Sequence, residues 1–382
     1  MNHIEIADLA HLHQRKSAKW RMYPPDVIPM GLAEMDFSVA PKIQQTLSEM
    51  VQGSDLGYGG IAPELGHAFA EFAARRWGWR ADPEQCWLVT DVAIAGIETM
   101  RQYCNPGDVV GISSPVYHDF VHWISEVKCT AVDVPLLHHG NGEWRLDLDG
   151  IESAFANGMK IYILCNPHNP VGHVPRRGEL EQLADLADEY NVVVISDEIH
   201  APLTYSPHDF TPYLSINAQS RRTGVVITSA SKAWNTAGLK CAQVITQDEQ
   251  RREDFKHFPE HTSWRASILG SWANITAYRE CGDWLDSAIA QLDSNRKLLA
   301  ELLAKHLPDA DYSLPECTYL AWIDVSQYRS DLPAKYIREH AGVAFSEGID
   351  FGPAGAGHIR LNFATSPEII TEAIQRTAKL FK

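Results

Sequence analysis

The sequence lacks the features that accompany several whole classes of protein. It has no run of 18 apolar residues, and its start, MNHIEIADLAHLHQRK, has no apolar segment of the kind found in signal peptides. Lys and Arg number 33 against 49 Asp and Glu, a formal charge of −16, and no Lys/Arg-rich block is present. We therefore expect a soluble protein that is not exported and has neither a membrane nor nucleic acid as a partner.

Cysteine is sparse and unpatterned. The seven cysteines stand singly, without a C-x-x-C pair, and an odd number cannot all be bridged within one chain. This pattern favours a reducing, cytoplasmic setting. The histidine pairs His11/His13 and His138/His139 lack cysteine or carboxylate partners at ligand spacing, so we predict no metal site.

The chain length suits one large domain with a smaller lobe, since 382 residues exceed a minimal domain. Residues 1–45 contain Pro24, Pro25, Pro29 and Pro41, which interrupt any long helix, so we predict an arm that contributes to the small lobe. Residues 46–275 are predicted to form the large domain and residues 276–382 a C-terminal small domain.

Strand-like and helix-like segments alternate through the large domain. Predicted strands cover 87–90, 109–113, 161–165, 192–196 and 225–229, and predicted helices cover 63–77, 91–104 and 176–190. A helix over 285–307 and strands over 318–325 and 358–364 follow. Such alternation indicates parallel βαβ units. We therefore predict an α/β fold, with a mostly parallel sheet between helices and a smaller α+β C-terminal lobe.

Three polar side chains follow successive predicted strands. Asn169 lies in CNPHNP after IYIL, Asp197 in SDEIH after VVVI, and Lys232 in SASK after VVIT. The carboxyl ends of parallel strands share one edge of a sheet, where ligands bind. Pyridoxal phosphate (PLP) requires an amine for a Schiff base, a carboxylate that keeps its ring nitrogen protonated, and an amide that donates to its phenolate oxygen. The sequence therefore predicts a PLP enzyme.

Several motifs resemble those of a known family. CNPHNPVG, SDEIH, SASKAWNTAGLK and AEMDFSVAP resemble fold-type-I PLP enzymes of the aspartate aminotransferase superfamily, and within it the MalY/PatB group of cysteine-S-conjugate β-lyases. The resemblance runs from about residue 15 to the C-terminus, and His168 and His200 are the main local marks of the subgroup. It implies PLP fold type I and a homodimer with the active site at the subunit interface.

The resemblance also implies roles for individual residues. Lys232 would bind PLP and then remove the substrate's Cα proton, Asp197 would pair with the ring nitrogen, and Asn169 would donate to O3′. Tyr117, in SSPVYHDF, would stack on the ring. Arg360, in HIRLNFA, would bind the substrate's α-carboxylate with Asn169, because a planar guanidinium gives bidentate geometry.

A second group of residues would bind the phosphate of PLP. The resemblance implies backbone N–H groups in the turn at 90–93, a hydroxyl, an amine where relatives carry Arg, and a tyrosine that reaches the neighbouring subunit: Val92, Ala93, Ser229, Lys240 and Tyr58. Tyr58 thereby joins Lys232 and Tyr117 among the predicted catalytic residues.

The phosphate turn departs from the family pattern. MalY-like enzymes usually have Thr-Pro-Gly-Val, whereas this chain has Thr90-Asp91-Val92-Ala93 and so places an anion near a dianion. We expect Asp91 to turn away and cap the following helix, or the turn to be remodelled.

The predicted residues do not select one reaction, because several PLP reactions share Lys232, Asp197 and Asn169. The MalY/PatB resemblance implies C–S β-elimination from L-cystathionine or another cysteine S-conjugate, giving pyruvate, ammonia and a thiol (EC 4.4.1 type). Alternatives are an aminotransferase (EC 2.6.1 type) or a specialised PLP enzyme of secondary metabolism. A regulatory, protein-binding role is possible in addition.

Overall fold

The structure, a computed structural model, describes residues 4–140 and 142–381. Its strands are β1 Ile28–Pro29, β2 Cys86–Val89, β3 Val109–Ile112, β4 Thr130–Asp133, β5 Leu137–His138, β6 Trp144–Arg145, β7 Ile161–Cys165, β8 Val193–Asp197, β9 Gly224–Thr228, β10 Ala242–Ile245, β11 Asp311–Tyr312, β12 Leu320–Asp324, β13 Val343–Ala344, β14 Ser346–Glu347 and β15 His358–Asn362.

The helices lie between and around these strands. They are α1 Leu9–Leu12, α2 Ala18–Arg21, α3 Pro41–Gln52, α4 Pro63–Trp77, α5 Val92–Tyr103, α6 Asp119–Glu126, α7 Leu148–Ala156, α8 Arg177–Glu189, α9 Ala218–Thr223, α10 Glu249–Phe255, α11 His261–Trp264, α12 Ile268–Glu280, α13 Gly282–His306, α14 Pro333–Ala341 and α15 Pro367–Lys379. Within the described ranges, no helix has the length and apolar character needed to cross a membrane.

A seven-stranded sheet in the order β2-β10-β9-β8-β7-β3-β4 forms the centre of the molecule. Strands β4, β3, β7, β8 and β9 are parallel, whereas β10 runs antiparallel to both β9 and β2. Every residue of β7, β8 and β9 is buried, as expected for Val/Ile-rich strands covered on both faces. The predicted α/β fold is confirmed, although the sequence did not predict β4 or β10.

A second, four-stranded sheet in the order β11-β12-β15-β14 is antiparallel. The N-terminal arm lies against this part of the chain, because β1 pairs with β13 and the N–H of Asn362 donates to Met30 O at 2.7 Å. The predicted domain boundaries at residues 45 and 275 fall inside α3 and α12, and that division stays a prediction.

A capping residue determines where helix α5 begins. Helix α5 begins at Val92 because Oδ1 of Asp91 accepts a hydrogen bond from the N–H of Ile94 at 2.9 Å. Asp91 therefore caps the helix, as expected.

Candidate active site

A cavity of about 410 Å³ lies at the carboxyl ends of β7, β8 and β9. It brings together every predicted site residue except Tyr58, namely Val92, Ala93, Tyr117, Asn169, Asp197, Ser229, Lys232, Lys240 and Arg360. Asp197 ends β8, Asn169, Ser229, Lys232 and Lys240 lie in loops after β7 and β9, Val92 and Ala93 begin α5, and Arg360 lies on β15. Loops at the carboxyl ends of strands are where ligands bind in an α/β sheet.

Lys232 lies in the loop after β9 and is tied to the N-terminal arm. Its Nζ donates to the carbonyl oxygen of Ala33 at 3.0 Å, and the hydroxyl of Tyr319 donates to the same oxygen at 3.1 Å. Burial and the nearby Arg360 lower the pKa of Lys232 to about 8, although Asp197 opposes the shift. A substantial fraction of the amine is therefore neutral near pH 8 and can accept a proton.

Asp197 ends β8 and is 5% exposed. Burial raises the pKa of its carboxyl to about 7, against the opposing effects of the Ile199 N–H, which donates to Oδ1 at 3.1 Å, and of Lys232. A buried carboxylate of this kind is stabilised by a cation placed against it. A protonated ring nitrogen would be such a cation.

Arg360, on β15, is 4% exposed and only partly satisfied by the protein. Its Nη1 donates to Asn169 Oδ1 at 3.3 Å, and its Nη2 donates to Gly31 O at 2.9 Å and to Ser346 Oγ at 3.3 Å. Its Nε has no hydrogen-bond partner among the described residues. Burial lowers the pKa of Arg360 to about 10, so it remains a cation at physiological pH.

Tyr117 stands on the cavity wall just before α6. Its hydroxyl donates to Asp119 Oδ2 at 2.5 Å, and its ring makes edge-to-face contacts with Phe120 and Trp123. Burial and Asp119 raise the pKa of Tyr117, so the phenol stays protonated. The contacts hold the ring in one orientation beside the cavity, and its stacking on a cofactor stays a prediction.

The start of α5 and the loop after β9 form the other end of the cavity. Nζ of Lys240 donates to Oδ2 of Asp91 at 3.1 Å, beside the first residues of α5, Val92 and Ala93. The Ser229 hydroxyl donates to Cys241 O at 2.7 Å. A helix N-terminus and a lysine suit a phosphate, but the Asp91 carboxylate opposes it.

Tyr58 lies away from the cavity of its own chain. It is 86% exposed and contacts the ring of Trp264 edge-to-face at 6.1 Å. Its predicted role at the site of a neighbouring subunit is compatible with this exposure and stays a prediction.

Some cavity residues were not predicted as site residues. His118 also lines the cavity, and burial lowers its pKa. His200, noted only as a mark of the subgroup, lines it too and has Nδ1 3.1 Å from Thr318 Oγ1. Burial lowers the pKa of His200 to about 3, so its ring is neutral. The Ala33 carbonyl could have been suspected, because it begins the AEMDFSVAP motif.

The donor set of the cavity fits PLP. It offers an amine of lowered pKa, a buried carboxyl that forms no ion pair with the residues described, an amide beside an arginine, and a helix N-terminus. The Arg360 guanidinium adds a cation that suits the carboxylate of an amino acid. A fold of this class with such a cavity is that of an enzyme acting on amino acids through PLP.

The chain belongs to the aminotransferase class I and II family, whose model matches residues 25–376. A Mycobacterium tuberculosis protein provisionally named cystathionine beta-lyase is 39% identical over 406 residues, covering 99% of this chain and 98% of the relative. The cystathionine beta-lyase of Corynebacterium glutamicum is 35% identical over 380 residues, covering 99% of this chain and 100% of the relative.

Solved structures agree with the sequence relatives. The crystal structure of a protein from Corynebacterium diphtheriae, provisionally described as a PLP-dependent beta-cystathionase, has a TM-score of 0.93 and 34% identity, and 98% of each chain is covered. The predicted PLP fold type I and the predicted resemblance to cystathionine β-lyases are confirmed.

Proposed function

We propose that this protein is a PLP-dependent C–S β-lyase that cleaves L-cystathionine or related cysteine S-conjugates to pyruvate, ammonia and a thiol. The observation that carries the proposal is the convergence of Lys232, Asp197, Asn169 and Arg360 on one cavity. The names of the relatives support C–S cleavage over the other reactions open to such a site.

One chain would supply most of the groups that hold the cofactor. Lys232 would bind its aldehyde, Asp197 would hold a proton on its ring nitrogen, and Asn169 would donate to its phenolate oxygen. Val92, Ala93, Ser229 and Lys240 would receive its phosphate. When bound, PLP supplies an electron sink that stabilises negative charge at the substrate's Cα.

Arg360 sets the position of the substrate. Its guanidinium is buried and charged, so it would attract an α-carboxylate, which would form hydrogen bonds with it in exchange for some of its present bonds to the protein. Lys232 lines the same cavity as Arg360. A substrate bound to Arg360 by its carboxylate would therefore have its Cα in the cavity that contains the Lys232 amine.

Lys232 moves the proton that starts the reaction. With a pKa of about 8, its Nζ is neutral often enough at physiological pH to accept the Cα proton. Loss of that proton allows the Cβ–S bond to break with its electron pair on sulfur, and the departing thiolate takes up a proton. Addition of water then completes the net conversion to pyruvate and ammonia.

The test is pyruvate release from L-cystathionine by the purified protein with PLP and no 2-oxo acid added. We expect pyruvate and thiol in equal amounts from the wild type and none from Lys232→Ala, whose folding is checked by circular dichroism. A protein that makes no pyruvate, but exchanges amino groups when a 2-oxo acid is supplied, would be an aminotransferase and would overturn the proposal.

The site is proposed to lie at the interface of a homodimer. Large apolar side chains, Tyr58, Ile61 and Trp264, are 86%, 83% and 52% exposed in the single chain. Monomers rarely expose apolar groups so fully over one region. We also propose a cytoplasmic location, which is supported by the seven free thiols.

A further inference from the structure

A second cavity of about 390 Å³ adjoins the candidate active site. The two cavities share Leu32, His118 and Arg360 in their walls. The second cavity therefore lies beside the group proposed to bind the α-carboxylate. Its outer wall is the first half of α14, through Ala334, Lys335 and Arg338.

Hydrogen bonds fix α14 relative to Arg360. Ser346 is paired with Arg360 across β14 and β15, and its hydroxyl oxygen accepts from Nη2 at 3.3 Å. The carboxylate of the next residue, Glu347, accepts from the backbone N–H groups of Ala334 at 3.3 Å and Lys335 at 3.0 Å. The start of α14 is thus connected to the active site through two adjacent residues of one strand.

Some charged side chains on the wall of this cavity have hydrogen-bond or ion-pair partners, and others have no ion-pair partner among the described residues. The Glu347 carboxylate is engaged with the two N–H groups, and Lys19 is buried in an ion pair with Asp36 at 2.8 Å. Lys335 and Arg338 form no ion pair within the part of the chain that the structure describes, and the Arg338 guanidinium lies 5.8 Å from the ring of Tyr23.

The remaining wall combines one anion with apolar groups. Asp350 contributes a carboxylate, while Met22, Tyr23, Phe345 and Phe351 contribute apolar surface. Lys335 and Arg338, which have no ion-pair partner among the described residues, are therefore available to an anionic ligand in a cavity that is otherwise lined largely by apolar side chains. Such a cavity suits a flexible carbon–sulfur chain that ends in an anionic group.

We infer that this cavity receives the leaving-group half of a cysteine S-conjugate, and that Lys335 and Arg338 bind a carboxylate at its end. The inference rests on the proposed lyase function and narrows its substrates to S-conjugates whose thiol half carries a terminal carboxylate. L-cystathionine is one member of that class. The ammonium group of its thiol half would face Asp350.

Two compounds that differ only in the terminal group test the inference. S-(3-carboxypropyl)-L-cysteine has the carboxylate, and S-butyl-L-cysteine has a methyl group in its place. We expect the wild-type holoenzyme to prefer the first in kcat/KM for pyruvate release, and Lys335→Gln/Arg338→Gln to lower that preference about tenfold or more. Lys305→Gln, an exposed change on α13 outside both cavities, should leave the preference unchanged.

The outcomes separate this inference from the proposed function. If the wild type releases pyruvate but the double variant keeps the same preference, or loses activity equally on both compounds, the carboxylate site is wrong and the lyase stands. If the wild type releases no pyruvate from either compound or from L-cystathionine, the lyase function fails. In that case the dissociation constants of the two compounds are measured from cofactor absorbance for the wild type and for the double variant. A ratio of the two constants that is the same in both proteins would show that the carboxylate site is wrong.

Discussion

Asp91 lies directly before α5, beside the proposed phosphate site. Its carboxylate has two tasks, since Oδ1 caps α5 and Oδ2 accepts from Lys240. Both tasks put negative charge next to the N–H groups of Val92 and Ala93, where the phosphate of PLP is proposed to bind. The same ion pair engages Lys240, which is proposed to bind that phosphate.

We predict that Asp91→Asn tightens PLP binding. The amide oxygen can still cap α5, whereas the repulsion of the phosphate is lost and Lys240 is released. Since Asp91 and Lys240 are partly exposed, screening limits the gain, and we expect the dissociation constant of PLP to fall roughly three- to tenfold. Lys240→Gln should raise it. Both constants can be measured by titrating the apoprotein and following tryptophan fluorescence.

Pyridoxal, which lacks the phosphate, is the control for this prediction. Its binding should change little in Asp91→Asn. An equal change for PLP and pyridoxal would mean that Asp91 acts through the fold and not through the phosphate. Asp91→Ala also loses the cap of α5. We expect its free energy of unfolding to fall by about 1 kcal/mol, so that it unfolds at a lower temperature.

Residues that follow buried strands could be predicted from the sequence, and residues brought in by distant loops could not. Asn169, Asp197 and Lys232 follow strands whose Val/Ile content marks a parallel sheet, so their meeting at one edge follows from topology. The contact of Lys232 with Ala33 spans 199 residues of chain. It depends on how the N-terminal arm packs, which no local pattern records.

At the scale of elements, the direction of β10 is another feature that was not predicted from the sequence. Parallel neighbours need a crossover connection, usually a helix, whereas antiparallel ones do not. Residues 229–241, which join β9 to β10, contain only a short 3₁₀ turn at Ala237–Leu239, and β10 returns antiparallel to β9. The absence of a helical pattern in SASKAWNTAGLKC was the available signal that the next strand runs antiparallel. The strand itself was not predicted, because a four-residue buried strand has no clear periodicity.

The segment between β7 and α8 is held to the C-terminal part of the chain by a buried histidine. His173 is 5% exposed, with Nδ1 3.3 Å from Glu316 and Nε2 3.6 Å from Glu179. Burial alone would lower the pKa of His173, but the two carboxylates outweigh it and raise the pKa above its ordinary value. Arg145 and Arg176 also pair with Glu179 and Glu316, respectively.

This raised pKa predicts a pH-dependent contribution to stability. A histidine whose pKa is higher in the folded state stabilises the fold fully below its unfolded pKa, about 6.5, and loses that effect as pH rises through the folded value. His173→Gln should therefore lower the melting temperature more at pH 6 than at pH 9, by roughly 1–3 °C. Thermal unfolding of both proteins at the two pH values measures this. An equal loss at both would show that the ring acts by packing and not by charge.

At the scale of the whole molecule, the proposed dimer gives Tyr58 its role. The residue is 86% exposed and outside the cavity of its own chain, so it can act only on another molecule's site or on none. An isologous interface places the same patch of both subunits together and makes two equivalent composite sites. Each site would then combine Lys232 of one subunit with Tyr58 of the other.

Hybrid dimers test this arrangement directly. One subunit carries Lys232→Ala and the other Tyr58→Phe, and two different affinity tags isolate the hybrid. One of its two sites then has both Lys232 and Tyr58, so we expect about half of the wild-type pyruvate release at limiting PLP. A hybrid of wild type with the double variant Lys232→Ala/Tyr58→Phe has no such site. Only one of its two sites keeps Lys232, so it should show about half the activity of the Tyr58→Phe homodimer. Equal activity of the two hybrids would show that Tyr58 does not act across the interface.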